Sequence, residues 1–219
     1  MTQLHNESSS NRQIANYVLS NVSFLEMLSW AQPEDTIELQ LNFGSVIEAQ
    51  AKHTSRDFTI FSINATGAWT ENCKGSITLE YESPLDDIEG AREADFFVKA
   101  QNEFYHHVRV QCEENLDSLA IYEELKSHGN FYGTNFALIK QMHLGVENSW
   151  STISIPDIAQ IMPSKRQENH TIHPTTLDAF IHSTLPSFFR QSIATSVVTA
   201  SVGELRICLL YTSPSPRDS

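Results

Sequence analysis

HPTTLDAFIH, running from His173 to His182, is the stretch on which the reading of the fold turns. Pro174 suits the first turn of a helix, where its missing N–H leaves no bond unmade, and Leu177, Ile181 and Leu185 then recur at helical spacing. The helix should break or end near Pro186. Asp178 and His182 stand four residues apart, so they share one helix face. Leu177, Phe180 and Ile181 put apolar side chains around them, a setting that favours the protonated form of a carboxyl and would let Asp178 act as a general acid. A plainer reading uses the same residues, with Asp178 an exposed first-turn acid stabilised by the helix dipole and His182 a surface or packed residue. Spacing alone favours the plainer one.

Outward from this helix the chain is rich in short β-type runs. FALIKQMHLG and SWSTISIP precede it and read as strands, and VVTASVGELRI follows it as one more. Asp117 or Ser118 can cap a helix through Leu119, Tyr122, Glu123 and Leu125, with Gly129 as its left-handed stop. Further upstream, YVLSNVSFLEML, TIELQLNF, DFTIFSIN and CKGSITLEY read as four strands of one antiparallel sheet. In TIELQLNF, Ile37, Leu39, Leu41 and Phe43 alternate with Glu38, Gln40 and Asn42, the pattern of a sheet with one covered face. No amphipathic helix long enough to cover it lies between Met1 and Tyr81, so the cover is expected from another domain, another chain or missing sequence. The resulting division is a disordered lead-in over 1–16, with order setting in near Ile14; a first sheet over 17–83; an acidic linker with helical character over 84–130; a second β region over 131–207; and a tail over 208–219.

Composition narrows the function classes. Fourteen Lys and Arg against 27 Asp and Glu give a net charge of −13, a surface that repels phosphate backbones and anionic lipid heads. Nucleic-acid and membrane-surface roles are set aside on that ground. No apolar run reaches the length of a membrane span, and Met1 to Arg12 lacks the apolar core of a signal peptide, so the expected compartment is the cytoplasm. Cys73, Cys112 and Cys208 show no CxxC spacing; the first two read as ordinary reduced thiols. The adjacent His106 and His107 near Cys112 lack ligand spacing for a metal, and Asp86, Asp87 and Glu89 read as a solvated linker face. Sequons at Asn6, Asn21, Asn64 and Asn169 are coincidental without a secretory route, and no GxSxG elbow or glycine-rich phosphate loop occurs.

His173 to His182 resembles the HPxxLDAxxQ/H motif on the central helix of the second hot-dog half in polyketide synthase dehydratase domains, especially those of iterative highly reducing synthases. Phe131 to Phe136 looks like the family's YGPxF motif. Ile155-Pro156-Asp157 with Met162-Pro163 looks like its VPD and MP stretch, and Trp69 to Gly75, WTENCKG, looks like its WTEHCxG stretch. Together they span roughly residues 17–207, and the ordered pair YGxxF then HPxxLD is far more specific than either alone. The resemblance implies an α+β double hot-dog fold, antiparallel sheets wrapping a central helix, incomplete at both ends. On that division 17–83 is the C-terminal part of the first hot-dog half and 131–207 the N-terminal part of the second.

The resemblance also implies a reaction, elimination of water from a β-hydroxyacyl thioester on an acyl carrier protein to leave an enoyl chain. A first-half His removes the α-proton and a second-half Asp protonates the departing hydroxyl. Asp178 matches that Asp. His182 falls where Gln or His is usual and is assigned to orienting the hydroxyl or Asp178. Tyr132, Gly133, Phe136 and Pro174 match motif positions and are assigned to substrate binding, Gly133 for close backbone approach and Phe136 as an apolar wall of the acyl tunnel. No cofactor is implied in this domain, the substrate being carried on the carrier protein's phosphopantetheine. Implied partners are that carrier protein and the other domains of a parent synthase resembling homodimers.

Thr134 and Ala137 depart from the motif's Pro and following Gln. The family's HPLLG-like segment with its His does not occur here, so no base is carried over to His5, His53, His106, His107, His128 or His143, and the chain by itself is expected to have little activity. CLLYTSPSPRDS resembles translated non-native sequence and is left out of the fold. Two rivals stand beside the dehydratase: a product-template domain steering aldol cyclisation on a similar fold, against which WTENCKG weighs, and a non-catalytic hot-dog scaffold of a megasynthase.

Overall fold

β-Branched and aromatic residues alternating with polar ones extend the N-terminal part of the chain into strands. The structure is a computed structural model that describes residues 13–29, 32, 36–49, 52–63, 67–81, 88–157, 170–190 and 196–208. The chain divides into two compact units, Met1–Ala91 with Thr199–Ser219, and Arg92–Val198.

The first unit is built on an antiparallel sheet of β1 (Ile14–Phe24), β2 (Glu38–Phe43), β3 (Ile47–Ala49), β4 (His53–Ile63), β5 (Trp69–Tyr81) and β9 (Ser201–Cys208). Its order is β2-β4-β5-β1-β9, with β3 pairing to β4. The four strands expected in one sheet are all in it. Tyr17, Val18, Val22, Cys73 and Leu79 are its buried apolar residues among those described. Leu39 and Leu41, expected on a covered face, stay 52% and 53% exposed. Asn21 adopts φ 52° where the β1–β5 register slips between Ser20 and Ser23, a left-handed bulge residue of a type that tolerates that conformation. Gly75 in β5 faces a crowded spot: a Cβ there would stand 3.0 Å from Val22 Cγ2 and 3.1 Å from the Phe58 ring.

Three boundaries differ from the sequence reading. β1 starts at Ile14, where order was expected to set in but short of the lead-in bound at 16, because Ile14 and Asn16 pair with Tyr81 and Glu80. Residues 1–12 lie outside the described residues. The strand in VVTASVGELRI, grouped with the second half in the reading of 131–207, pairs instead with β1, from Ser23↔Ser201 to Asn16↔Cys208. Glu80 fixes that register, accepting from Asn16 Nδ2 at 2.8 Å and from Arg206 at 2.5 Å. Periodicity gives a strand its faces but not its neighbour. Cys208 thus ends a strand rather than opening the tail, and 209–219 lie outside the described residues.

The stretch 84–130, read as a linker, is more regular than expected. α1 (Ile88–Gln111) is a single 24-residue helix, for which its Ala, Glu, Lys and Gln content is suited. Phe96, Phe97, Phe104 and Val110 on it are exposed. No helix among the described residues is long and apolar enough to cross a membrane.

The second unit holds a three-stranded sheet of β6 (Glu114–Asp117), β7 (Ile139–Leu144) and β8 (Ser149–Ile153), with α2 (Ser118–Ser127), α3 (Pro174–His182) and α4 (Leu185–Phe189). β6 was not anticipated: ENLD is too short and acidic to show a period. Asp117 caps α2, its carboxylate accepting from Ala120 N–H at 2.9 Å, and Gly129 follows at φ 90°. Both were expected. Ile121, Leu125, Leu138, Ile139, Met142, Leu144, Ala179, Leu185 and Phe189 form the core. Each such side chain withdrawn from water contributes about 1.5–3 kcal/mol, Ala less. Arg190 follows α4 and meets Glu114 at 2.6 Å and Glu124 at 3.0 Å, tying this end to β6 and α2.

Candidate active site

The site grows from the start of α3. His173 is the N-cap, its Nδ1 accepting from Thr175 N–H at 3.3 Å and lying 2.8 Å from the Thr175 hydroxyl. An imidazole here does what Ser or Asp usually does, which is why the cap was not read from the sequence. Pro174 occupies the first turn as expected and is exposed. α3 ends at His182, and after a turn α4 carries Pro186 in its own first turn, so the break falls just before the proline.

Asp178 and His182 do share a face, and they touch: Nε2 lies 3.0 Å from Oδ2. His182 is fully buried, whereas the Asp178 side chain is 36% exposed. Neither imidazole nitrogen has a hydrogen-bond partner among the described residues, so the contact is a close approach of ion-pair type rather than an aligned hydrogen bond. The apolar enclosure expected around Asp178 is only partial, since Phe180 points 47% of its surface to solvent. A helix start presents one face to the core and turns Phe180 away from it. The plainer expectation is thus met in part by a packed His182.

Aromatic rings hold the imidazole. Tyr132 overlies His182 with centroids 3.6 Å apart and planes at 43°. Tyr122, on α2, stands edge-on to both, its centroid 6.1 Å from each, at 71° to Tyr132 and 87° to His182. Burial pushes the Tyr122 phenol up; backbone hydrogen bonds at Ile139 and Leu138 oppose this, while Tyr132 and Asp178 act in the same direction as burial. Burial likewise raises Tyr132, with a hydrogen bond from Asn130 opposing and the Asp178 charge adding. Asn130 is itself fixed to Val197, giving to its carbonyl at 3.0 Å.

The turn after Tyr132 is closed by the Gly133 carbonyl, which accepts from Phe136 N–H at 2.9 Å and Ala137 N–H at 3.1 Å. Apart from its chain neighbours, no described atom lies within 4 Å of where a Gly133 Cβ would stand, so the space beside this glycine is open. Phe136, assigned to a tunnel wall, is 43% exposed. The fold therefore gathers Tyr132, Asp178 and His182 tightly and leaves Gly133, Phe136 and Pro174 on open positions beside them. Tyr122 was missed as a site residue. Helical spacing placed it on α2 beside the buried Ile121 but gave no sign of the rings it would meet.

Other described histidines lie away from Asp178, and His5 is outside the described residues. His128 stacks on Phe189 at 3.9 Å and His143 on Trp150 at 4.0 Å. His53 lies on β4, and His106 and His107 on α1. Cys73 and Cys112 are buried free thiols pushed up by that burial. Met162, Pro163 and Asn169 lie outside the described residues.

A family profile described as the polyketide synthase dehydratase N-terminal domain matches residues 106–218, which contain the whole of this constellation. The chain belongs to the polyketide synthase dehydratase family. The profile's description names the N-terminal domain, while the helix it covers carries the motif that resembles the second half. Among relatives, the highly reducing polyketide synthase AFT9-1 of Alternaria alternata is 32% identical over 198 residues, 90% of this chain and 6% of that protein. Highly reducing polyketide synthase alnA of Emericella nidulans is 37% identical over 131 residues, 57% of the chain and 5% of that protein. The dehydratase chain thus spans a small part of the length of these relatives. In fold it is similar to the dehydratase domain from the CurK module of curacin polyketide synthase, with a TM-score of 0.63 at 18% identity, covering 93% of this chain and 64% of that one. The dehydratase domain of RzxB from Pseudomonas fluorescens gives 0.60 at 13% identity, covering 94% and 64%. The hot-dog fold expected for a dehydratase is borne out by these likenesses and by the two antiparallel sheets.

Proposed function

We propose that this chain supplies the acid half of a dehydratase site acting on a β-hydroxyacyl thioester. The observation that carries the reading is the 3.0 Å contact between Asp178 and the buried His182, inside a segment of dehydratase family sequence. Asp178 in its acid form gives its proton to the β-hydroxyl, the C–O bond breaks, and water leaves. A histidine base takes the α-proton, and the electron pair left behind forms the α,β double bond. His182 holds the carboxyl group, and Tyr132, Gly133, Phe136 and Pro174 line the way in. Asp178's partial exposure suits a group that must reach a substrate oxygen.

The thioester is carried by an acyl carrier protein of a parent synthase, cytoplasmic and homodimeric, and no nucleic acid or membrane takes part. The product-template rival differs in substrate, and WTENCKG, Trp69 to Gly75 on β5, weighs against it; the scaffold rival predicts no turnover. Presenting a β-hydroxyacyl and a poly-β-keto pantetheine thioester to the synthase that carries this segment separates the three. The proposal expects an enoyl product from the first and no cyclised product from the second. A cyclised product or no turnover of either contradicts it.

A further inference from the structure

We propose that Tyr122 is a positioning residue for Asp178, acting through His182 and the turn Tyr132–Ala137; the proposal rests on the dehydratase reading and adds a residue to it. His182 is fully buried, and its ring nitrogens have no hydrogen-bond partner among the described residues. Its orientation is therefore set by the rings packed on it, not by hydrogen bonds. Tyr132 covers the imidazole face at 3.6 Å, and Tyr122 meets both rings edge-on at 6.1 Å, a favourable arrangement for aromatic pairs.

Tyr122 is also held at its far end. Its hydroxyl accepts from Ile139 N–H at 3.1 Å and gives to the Phe136 carbonyl at 3.3 Å. Ile139 is fully buried and opens β7 where the register to β8 slips. Phe136 in turn gives its N–H to Gly133. One phenol therefore fixes the exit of the turn that carries Tyr132, while its ring braces the imidazole that Tyr132 covers. α2 supplies the rigid base, anchored by the buried Ile121 and Leu125 on either side. Loss of the hydroxyl frees the turn, and loss of the ring also frees His182 and with it the Asp178 carboxyl.

The test uses the synthase that carries this segment and a β-hydroxyacyl pantetheine thioester. Tyr122→Phe keeps the ring and removes the hydroxyl, and Tyr122→Leu removes both. Expected are a fall in kcat of roughly tenfold and about a hundredfold respectively, with KM changed by less than about twofold, since small misplacements of a reacting group act on the chemical step. Arg190→Ala is the control: it cuts the ion pairs to Glu114 and Glu124, lowers Tm, and leaves kcat within about twofold. Tyr122 variants that lose no more kcat than Arg190→Ala at a matched loss of Tm overturn the proposal. If Tyr122→Leu does not fold, Tyr122→Phe decides. Asp178→Asn run alongside separates the two levels. An inactive Asp178→Asn with an unimpaired Tyr122→Phe overturns the positioning role alone, and a fully active Asp178→Asn overturns the dehydratase reading and this proposal together.

Discussion

Tyr122 and Tyr132 are two of six tyrosines, and burial raises both phenols above their ordinary value near 10. A folded pKa raised above the unfolded one means the folded state keeps its proton longer. The stability linked to these phenols is complete below about pH 10 and is lost as pH rises through the folded value. An ultraviolet phenolate titration should show a phenol that ionises above pH 10 together with alkaline unfolding and that Tyr122→Phe removes; a titration curve that Tyr122→Phe leaves unchanged above pH 10 would contradict the burial argument. Gly75 sets a second residue-level expectation. A methyl group there meets Val22 and Phe58 at 3.0–3.1 Å, and both belong to the packed sheet. Gly75→Ala should lower stability by about 1–3 kcal/mol in thermal unfolding, as overpacking does. Unchanged Tm would mean that Phe58 swings aside freely.

α2 depends on its ends more than on its length, since helices of this size are marginal alone. Asp117→Ala removes the carboxylate that accepts from Ala120 N–H and should cost about 1 kcal/mol in denaturant unfolding, with Asp117→Ser restoring most of it. That cap and the Gly129 stop were legible in the sequence, because capping chemistry is local. The same holds for the four N-terminal strands, for β7 and β8, and for Pro174 opening α3. β6 was not legible, since ENLD is recognisable as a strand only through its pairing with Gln141 to Leu144. The neighbour of β9 was not legible either: Ser201–Cys208 lies far along the chain from β1, and no local pattern encodes a pairing partner. At the site, the Asp178 and His182 pair could be read from spacing, but Tyr122 could not, because its role comes from α2, β7 and α3 meeting in space.

The two units differ in how far each closes its own core. The second unit has a closed core around Ile121, Ile139 and Met142, on which Asp178, His182 and the two tyrosines are mounted. The first unit leaves Leu39, Leu41 and Met27 largely open to solvent. The proposed acid, Asp178, belongs to the second unit. The central claim is the acid role of Asp178, and the most direct measurement is single-turnover elimination of a β-hydroxyacyl thioester by the synthase carrying this segment, with Asp178→Asn against the unchanged protein. Loss of one positioned acid should slow the enoyl product about 10²–10⁴-fold while the thioester still binds. Elimination by Asp178→Asn at the unchanged rate would contradict the account.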